Sequence, residues 1–108
     1  VLGGVIKPGP RGVIGGEAME ALKSYNFTKA FLGINSIAVR QGFTTPDREE
    51  AMVKALAAAR ARETWVLADS SKFGAVTAAA VLPLEGARII TDRLEDRRYL
   101  EYTEIKEV

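Results

Sequence analysis

The sequence predicts a single α/β domain: a mostly parallel sheet with helices on both faces. Apolar runs of strand length recur at Lys29–Ile34, Thr64–Ala68 and Ala87–Thr91. A long amphipathic stretch separates the first two, and strand–helix–strand alternation makes parallel neighbours through crossovers. The runs are compact blocks of apolar residues, as expected of strands buried on both faces. With 108 residues, 47% of them apolar, the chain can build one core and is too short for two.

Taken in order, the first sixteen residues hold six glycines with Pro8 and Pro10, and the apolar pairs Val5-Ile6 and Val13-Ile14 read as short strands between turns. Gly15-Gly16 lead into a short helix, Gly16–Tyr25, whose Ala18, Met19, Leu22 and Tyr25 recur at helical spacing. The strand Lys29–Ile34 follows. Thr45-Pro46-Asp47 then opens the clearest helix: Thr45 can cap, Pro46 suits the first turn, and Asp47 and Glu49 favour the positive end of the dipole. That helix runs to about Arg60, with Ala51, Met52, Ala55, Leu56 and Ala59 inward and Glu50 and Lys54 one turn apart outside. Two more strands, Thr64–Ala68 and Ala87–Thr91, precede a charged surface helix, Leu94–Tyr102, and a last strand, Ile105–Val108.

Fifteen basic residues against fourteen acidic ones leave a net charge of +1, so no global field favours nucleic acid or an anionic membrane. The mixed run Arg93, Arg97, Arg98 with Glu95, Asp96 and Glu101 reads as a solvated face. No apolar run approaches the roughly 20 residues of a membrane span, and the start lacks the order of a signal peptide. With neither cysteine nor histidine, the chain lacks thiolate zinc sites and the usual base near neutral pH. A reducing cytoplasm is the expected setting, with no metal or cofactor.

In open parallel sheets, ligands gather beyond the carboxyl ends of the strands. Three polar clusters follow strands in this way: Gly33-Ile34-Asn35-Ser36, Asp69-Ser70-Ser71-Lys72 and Thr91-Asp92. A carboxylate, two hydroxyls and an ammonium within four residues suit a hydroxylated, phosphorylated ligand, although a capped turn with a solvated lysine uses the same residues. Gln41-Gly42-Phe43-Thr44-Thr45 reads either as an anion cradle at a helix entry or as an ordinary capped helix. The N-terminal glycines match neither common nucleotide-loop pattern and serve turns. Phe27, Phe31, Phe43 and Trp65 could stack on a sugar, but such aromatics usually belong to the core.

Several segments together carry a resemblance: Leu2-Gly3-Gly4, Lys29–Ile34, Gly42–Asp47, Leu67–Gly74 and Ile89–Asp92. In that order and at these separations the chain resembles the C-terminal effector domain of DeoR-type repressors. The resemblance implies a fold similar to ribose-5-phosphate isomerase, a bound phosphorylated sugar or polyol, a homo-oligomer, and DNA contact only through an N-terminal helix-turn-helix not in this chain. It implies effector contacts at Gly33, Asn35, Gly42, Thr44, Thr45, Asp69, Ser70 and Lys72, with Lys72 foremost. Such sensors begin with further strands and a Gly-Thr-Thr phosphate loop, so an N-terminally incomplete sensor is expected here. The isomerases carry a lysine in a glycine-rich stretch where this chain reads Ala38-Val39-Arg40-Gln41-Gly42, which favours sensing over turnover. Two other readings stand beside it: an isomerase relative using Asp69, Lys72 or Glu50, and an oligomerisation domain without ligand.

Overall fold

A computed structural model describes residues 5–6 and 23–108 of the chain. Strands β1 (Val5–Ile6), β2 (Phe27–Gly33), β5 (Ala61–Leu67), β7 (Arg88–Thr91) and β8 (Ile105–Glu107) form a parallel sheet in the order β1-β2-β5-β7-β8. Strands β3 (Ser36–Ala38), β4 (Gly42–Thr45) and β6 (Ala79–Leu82) form a small antiparallel sheet in the order β3-β4-β6. Helix α1 (Arg48–Ala59) packs against β2, β4, β5 and β6. The mixed α/β class with a mostly parallel sheet is therefore as expected, while the small sheet is an addition.

The main sheet advances in one direction without reversal. Right-handed crossovers in such an order fall on one face. Leu32, Val66 and Ile89, all fully buried, point to that face. Leu32 packs with Ala30, Val53 and Ala57 under α1. Val66 and Ile89 pack with Ile37, Phe43 and Leu84 from the small-sheet side and with Leu94 and Tyr99 from the C-terminal segment. The alternate residues Phe31, Trp65 and Arg88 lie in register on the opposite face. There Trp65 is buried between two cations, with Arg88 at 5.6 Å and the Lys106 ammonium at 5.2 Å from its ring. Phe43 is fully buried, so Phe43 and Trp65 are core aromatics.

Four expectations change. Asp47, not Thr45, caps α1: its Oδ1 accepts the Glu49 N–H at 2.9 Å, and Thr45 ends β4 instead. The buried arc of α1 is rotated from the one expected: Ala51, Val53, Lys54 and Ala57 are buried, while Met52 (47% exposed) and Ala59 face outward. At about 100° per residue, Glu50 and Lys54 fall in the middle of that arc, so they are not an outer pair. A helix wedged between two sheets is covered along more of its circumference than one lying on a single sheet.

Leu94–Tyr102 is not a surface α-helix but a loop leading into a 3₁₀ turn, Arg97–Glu101, capped by Asp96. Its Leu94 and Tyr99 are drawn into the core, with the Tyr99 ring edge-on to Phe73 at 4.9 Å. Finally, the residues around Asn35, Gly42 and Thr45 are strands and a tight turn rather than open loops. The readings at Gly3-Gly4, Val13-Ile14 and Gly16–Leu22 lie outside the described residues.

Candidate functional site

The parallel register sets the carboxyl ends of β2, β5 and β7 side by side, with Gly33 opposite Leu67 and Leu67 opposite Ile90. The polar residues that follow these ends therefore leave the same edge of the sheet. After β5, Asp69 caps a 3₁₀ turn, Ser70–Lys72, its Oδ1 accepting the Ser71 N–H at 2.9 Å and the Ser71 hydroxyl. After β7, Asp92 Oδ1 accepts the Ser70 N–H at 2.7 Å. One turn is thus held by carboxylates from two neighbouring strand ends. Lys72, its third residue, is half-buried, and its charge reaches Asp69. The turn is fastened to the small sheet where the Gly74 N–H donates to the Ile37 carbonyl at 2.7 Å.

A second group forms where β2 runs into β3. Asn35 is exposed, and its Oδ1 lies 2.7 Å from the hydroxyl of Thr45, which is fully buried at the end of β4. The same hydroxyl lies 3.1 Å from Glu50 Oε2 in the first turn of α1. Successive β4 side chains point to opposite faces, so Thr44 turns away: its hydroxyl accepts the Thr77 N–H and meets the Thr77 hydroxyl, both at 2.9 Å. Gly42 is buried with φ +74°, its Cα close to the Leu82–Leu84 backbone. Gly33 faces open space, with no atom within 4 Å of where a Cβ would stand.

Of the eight residues expected at the site, the fold pairs Asn35 with Thr45 and gathers Asp69, Ser70 and Lys72 in one turn, with Gly33 on the strand end between the groups. Gly42 and Thr44 sit inside the small sheet. Sequence reasoning missed the role of Asp92 in holding the Ser70 amide and that of Thr77 in holding Thr44. A hollow of about 160 Å³ lined by Ser70, Phe73, Gly74, Glu95, Asp96 and Tyr99 shares only Ser70 with the expected set. Its two extra carboxylates make it a poor seat for an anion. Among the described residues no group of three or more His, Cys, Asp or Glu side chains could hold a metal ion, and no helix is long and apolar enough to cross a membrane.

Hydrogen bonds from Ser71, hydroxyl first and amide second, hold the Asp69 carboxyl below the usual carboxylate range. The Ser70 amide does the same for Asp92. A depressed folded pKa contributes stability above the unfolded value, near 4, that is lost as pH falls through the folded one. Amide exchange at Ser70 and Ser71 is therefore expected to accelerate, beyond the intrinsic pH trend, as pH drops below about 4. Protection at Ser70 that is unchanged in Asp92→Ala, or at Ser71 in Asp69→Ala, would show that the carboxylates do not hold the turn.

The family model described as the DeoR C-terminal sensor domain matches residues 1–93. The chain is 40% identical over 104 residues to FruR, an uncharacterised helix-turn-helix transcriptional regulator of Bacillus subtilis, covering 96% of this chain and 41% of that protein. It is 32% identical over 102 residues to the transcriptional repressor GlcR of the same organism, covering 94% and 39%. Against a putative aga operon repressor of Escherichia coli O157:H7 it is 31% identical over 71 residues, covering 66% and 26%. The chain thus spans about two fifths of the length of the first two.

Proposed function

This chain belongs to the DeoR C-terminal sensor-domain family, and from that premise we propose that it senses a phosphorylated sugar or polyol for a transcriptional repressor of sugar metabolism. The observation that carries the reading is that two polar groups follow neighbouring strand ends of the parallel sheet: Asn35 on Thr45 and Glu50 after β2, and the Asp69–Lys72 turn held by Asp92 after β5. Asn35 and Asp69 suit the hydroxyls of a sugar, and the Lys72 ammonium suits its phosphate. In this reading Gly33 keeps the strand end open for the ligand, Ser70 adds a hydroxyl, and Gly42 and Thr44 shape the support from inside the small sheet. Residues 1–108 act as one sensor unit in a cytoplasmic homo-oligomer that meets DNA through a helix-turn-helix elsewhere in the protein.

Sensing is preferred to catalysis on a chemical ground. A general base works best with a pKa near the working pH, whereas the hydrogen bonds on Asp69 hold its carboxyl low. Such a group accepts hydrogen bonds well and abstracts protons poorly near neutrality. The names of the relatives, all transcriptional regulators, support the same choice. Release from DNA then follows by linkage, because the effector favours the DNA-free arrangement by the difference in its affinity for the two states.

The test is thermal denaturation of the full-length protein with pentose phosphates, hexose phosphates and glycerol 3-phosphate, followed by operator binding with whichever compound stabilises. At a hundred times its Kd a ligand adds about 2.7 kcal/mol, a rise of several degrees in Tm. The same compound is expected to weaken operator binding. A full panel without any shift would reject the reading, and turnover of a pentose phosphate would replace it with the isomerase reading.

A further inference from the structure

Strand β6 lies at the edge of the small sheet, and its side away from β4 has no backbone partner among the described residues. Open strand edges invite pairing, and proteins usually guard them with charges, prolines or a covering segment. Such guards stand at two other edges: β8 carries Lys106 and Glu107, and β3 is bridged at Ile37 by Phe73. The four residues of β6, Ala-Ala-Val-Leu, carry neither charge nor proline, and Ala80 is exposed in their middle.

The ground beside this edge is apolar as well. A groove of about 400 Å³ runs between Ala78, Ala79 and Ala80 on one side and Arg48, Ala51 and Met52 on the other. After Glu50, every exposed or half-buried position of α1 is apolar: Met52, Ala55, Leu56, Ala58 and Ala59. A water-facing helix surface ordinarily carries charges, yet Met52 is 47% exposed here.

A strand edge is satisfied by another strand, and an identical β6 fits it in the antiparallel sense. A two-fold axis through Ala80, perpendicular to the small sheet, sets Ala80 against Ala80 and Ala78 against Leu82. The alanines let the backbones approach without a clash. The same axis keeps both α1 helices on one face, so the two grooves meet over the junction and the Met52 side chains close them. Antiparallel pairing also sets the start of one β6 against the end of the other. Arg48 lines the groove at the start, and Glu85 follows the end; both are exposed and lie outside the ion pairs of the described residues. Each copy therefore brings a cation toward its partner's anion, twice per pair.

We infer that β6 and the Met52 groove form a self-association surface, through which a second copy of this chain extends the small sheet across a two-fold axis. The inference rests on the homo-oligomer of the reading above and gives that oligomer one of its contacts.

The test uses the full-length protein with any cysteine outside residues 1–108 replaced by serine, since residues 1–108 contain none. Single cysteines are placed at Ala78, Ala80 and Leu82 on β6 and at Lys106 on β8, and the variants are oxidised and run on non-reducing gels. Ala80→Cys is expected to link into dimers fastest, because residues facing each other across the axis have Cα atoms about 5 Å apart. Ala78→Cys and Leu82→Cys, about 13 Å from their copies, are expected to link at least tenfold more slowly. If no β6 cysteine links faster than Lys106→Cys, the inference is overturned. A second arm follows the mass by sedimentation equilibrium. Ala80→Lys, which guards the edge with a charge, is expected to halve the mass of the oligomer. Arg48→Glu is expected to raise the dissociation constant about tenfold, and Arg48→Glu/Glu85→Arg to bring it back. An unchanged mass in Ala80→Lys, or no recovery in the double variant, also overturns it. Far-ultraviolet circular dichroism separates lost association from lost fold, and the cysteine variants give the decision if Ala80→Lys does not fold. An oligomer that forms no β6 links removes this contact alone, whereas a wild-type monomer removes the contact and the oligomer together; ligand-induced stabilisation tests sensing independently of both.

Discussion

Replacing Gly42 with alanine is expected to destabilise the protein by roughly 2–5 kcal/mol, from two separate costs. Gly42 has φ +74°, in the left-handed region, where a side chain costs roughly 1–2 kcal/mol. A Cβ there would also lie 2.3 Å from the Leu82 carbonyl oxygen and 2.9 Å from the Leu84 nitrogen. Both atoms are backbone, so β4 and the end of β6 must part, and overpacking of this kind costs about 1–3 kcal/mol. For a domain of this size the drop in Tm is on the order of 10 °C or more. Gly33→Ala is the matched control, because its Cβ would meet nothing within 4 Å. Its stability should stay within about 0.5 kcal/mol of the wild type. Since Gly33 ends β2 at the proposed ligand edge, the same variant is expected to lose effector affinity while Tm holds. Equal melting temperatures for Gly42→Ala and the wild type would remove the close approach as the reason for glycine at this position.

That contrast shows what could be read from the sequence. The strands β2, β5 and β7 announced themselves because each buries a compact apolar run, and their polar successors marked the ligand edge. The small sheet gave no such signal. Its strands are only three or four residues long, and all four of β4 are buried, so neither a run nor an alternation stands out. This one omission explains the others. Without the β3–β4 hairpin, Asn35 and Thr45 are ten residues apart with nothing to join them, and Thr45 looks like a helix cap. Without a sheet on each side of α1, the apolar count favours Met52 and Ala59 over Val53 and Lys54.

The Asp69–Lys72 turn was legible from residue types alone, whereas the support from Asp92 depends on β7 lying beside β5. The family match ends at residue 93, yet Leu94, Tyr99 and Ile105 belong to or pack on the main core, and the Leu94 N–H donates to Glu107 at 2.7 Å. The last fifteen residues therefore complete the edge of the sheet that positions Asp92.

Lys72→Ala is expected to raise the effector Kd by about 10- to 150-fold with little change in stability. The affinity estimate follows from losing one charge-assisted hydrogen bond to a phosphate, about 1.5–3 kcal/mol. Stability should move by less than about 1 kcal/mol, because Lys72 is only half-buried and Asp69, the carboxylate its charge reaches, is exposed. In the full-length repressor the two effects separate cleanly. Operator affinity without effector stays at the wild-type level, and the concentration of effector needed to release DNA rises by the same factor as the Kd. Calorimetry on the variant, paired with operator binding across an effector titration, checks both. A variant that melts early and binds DNA poorly would make Lys72 a structural residue of the turn. Wild-type release would remove Lys72 as the anion contact, since the Ser70 and Ser71 N–H groups already donate to Asp92 and Asp69 and do not take its place.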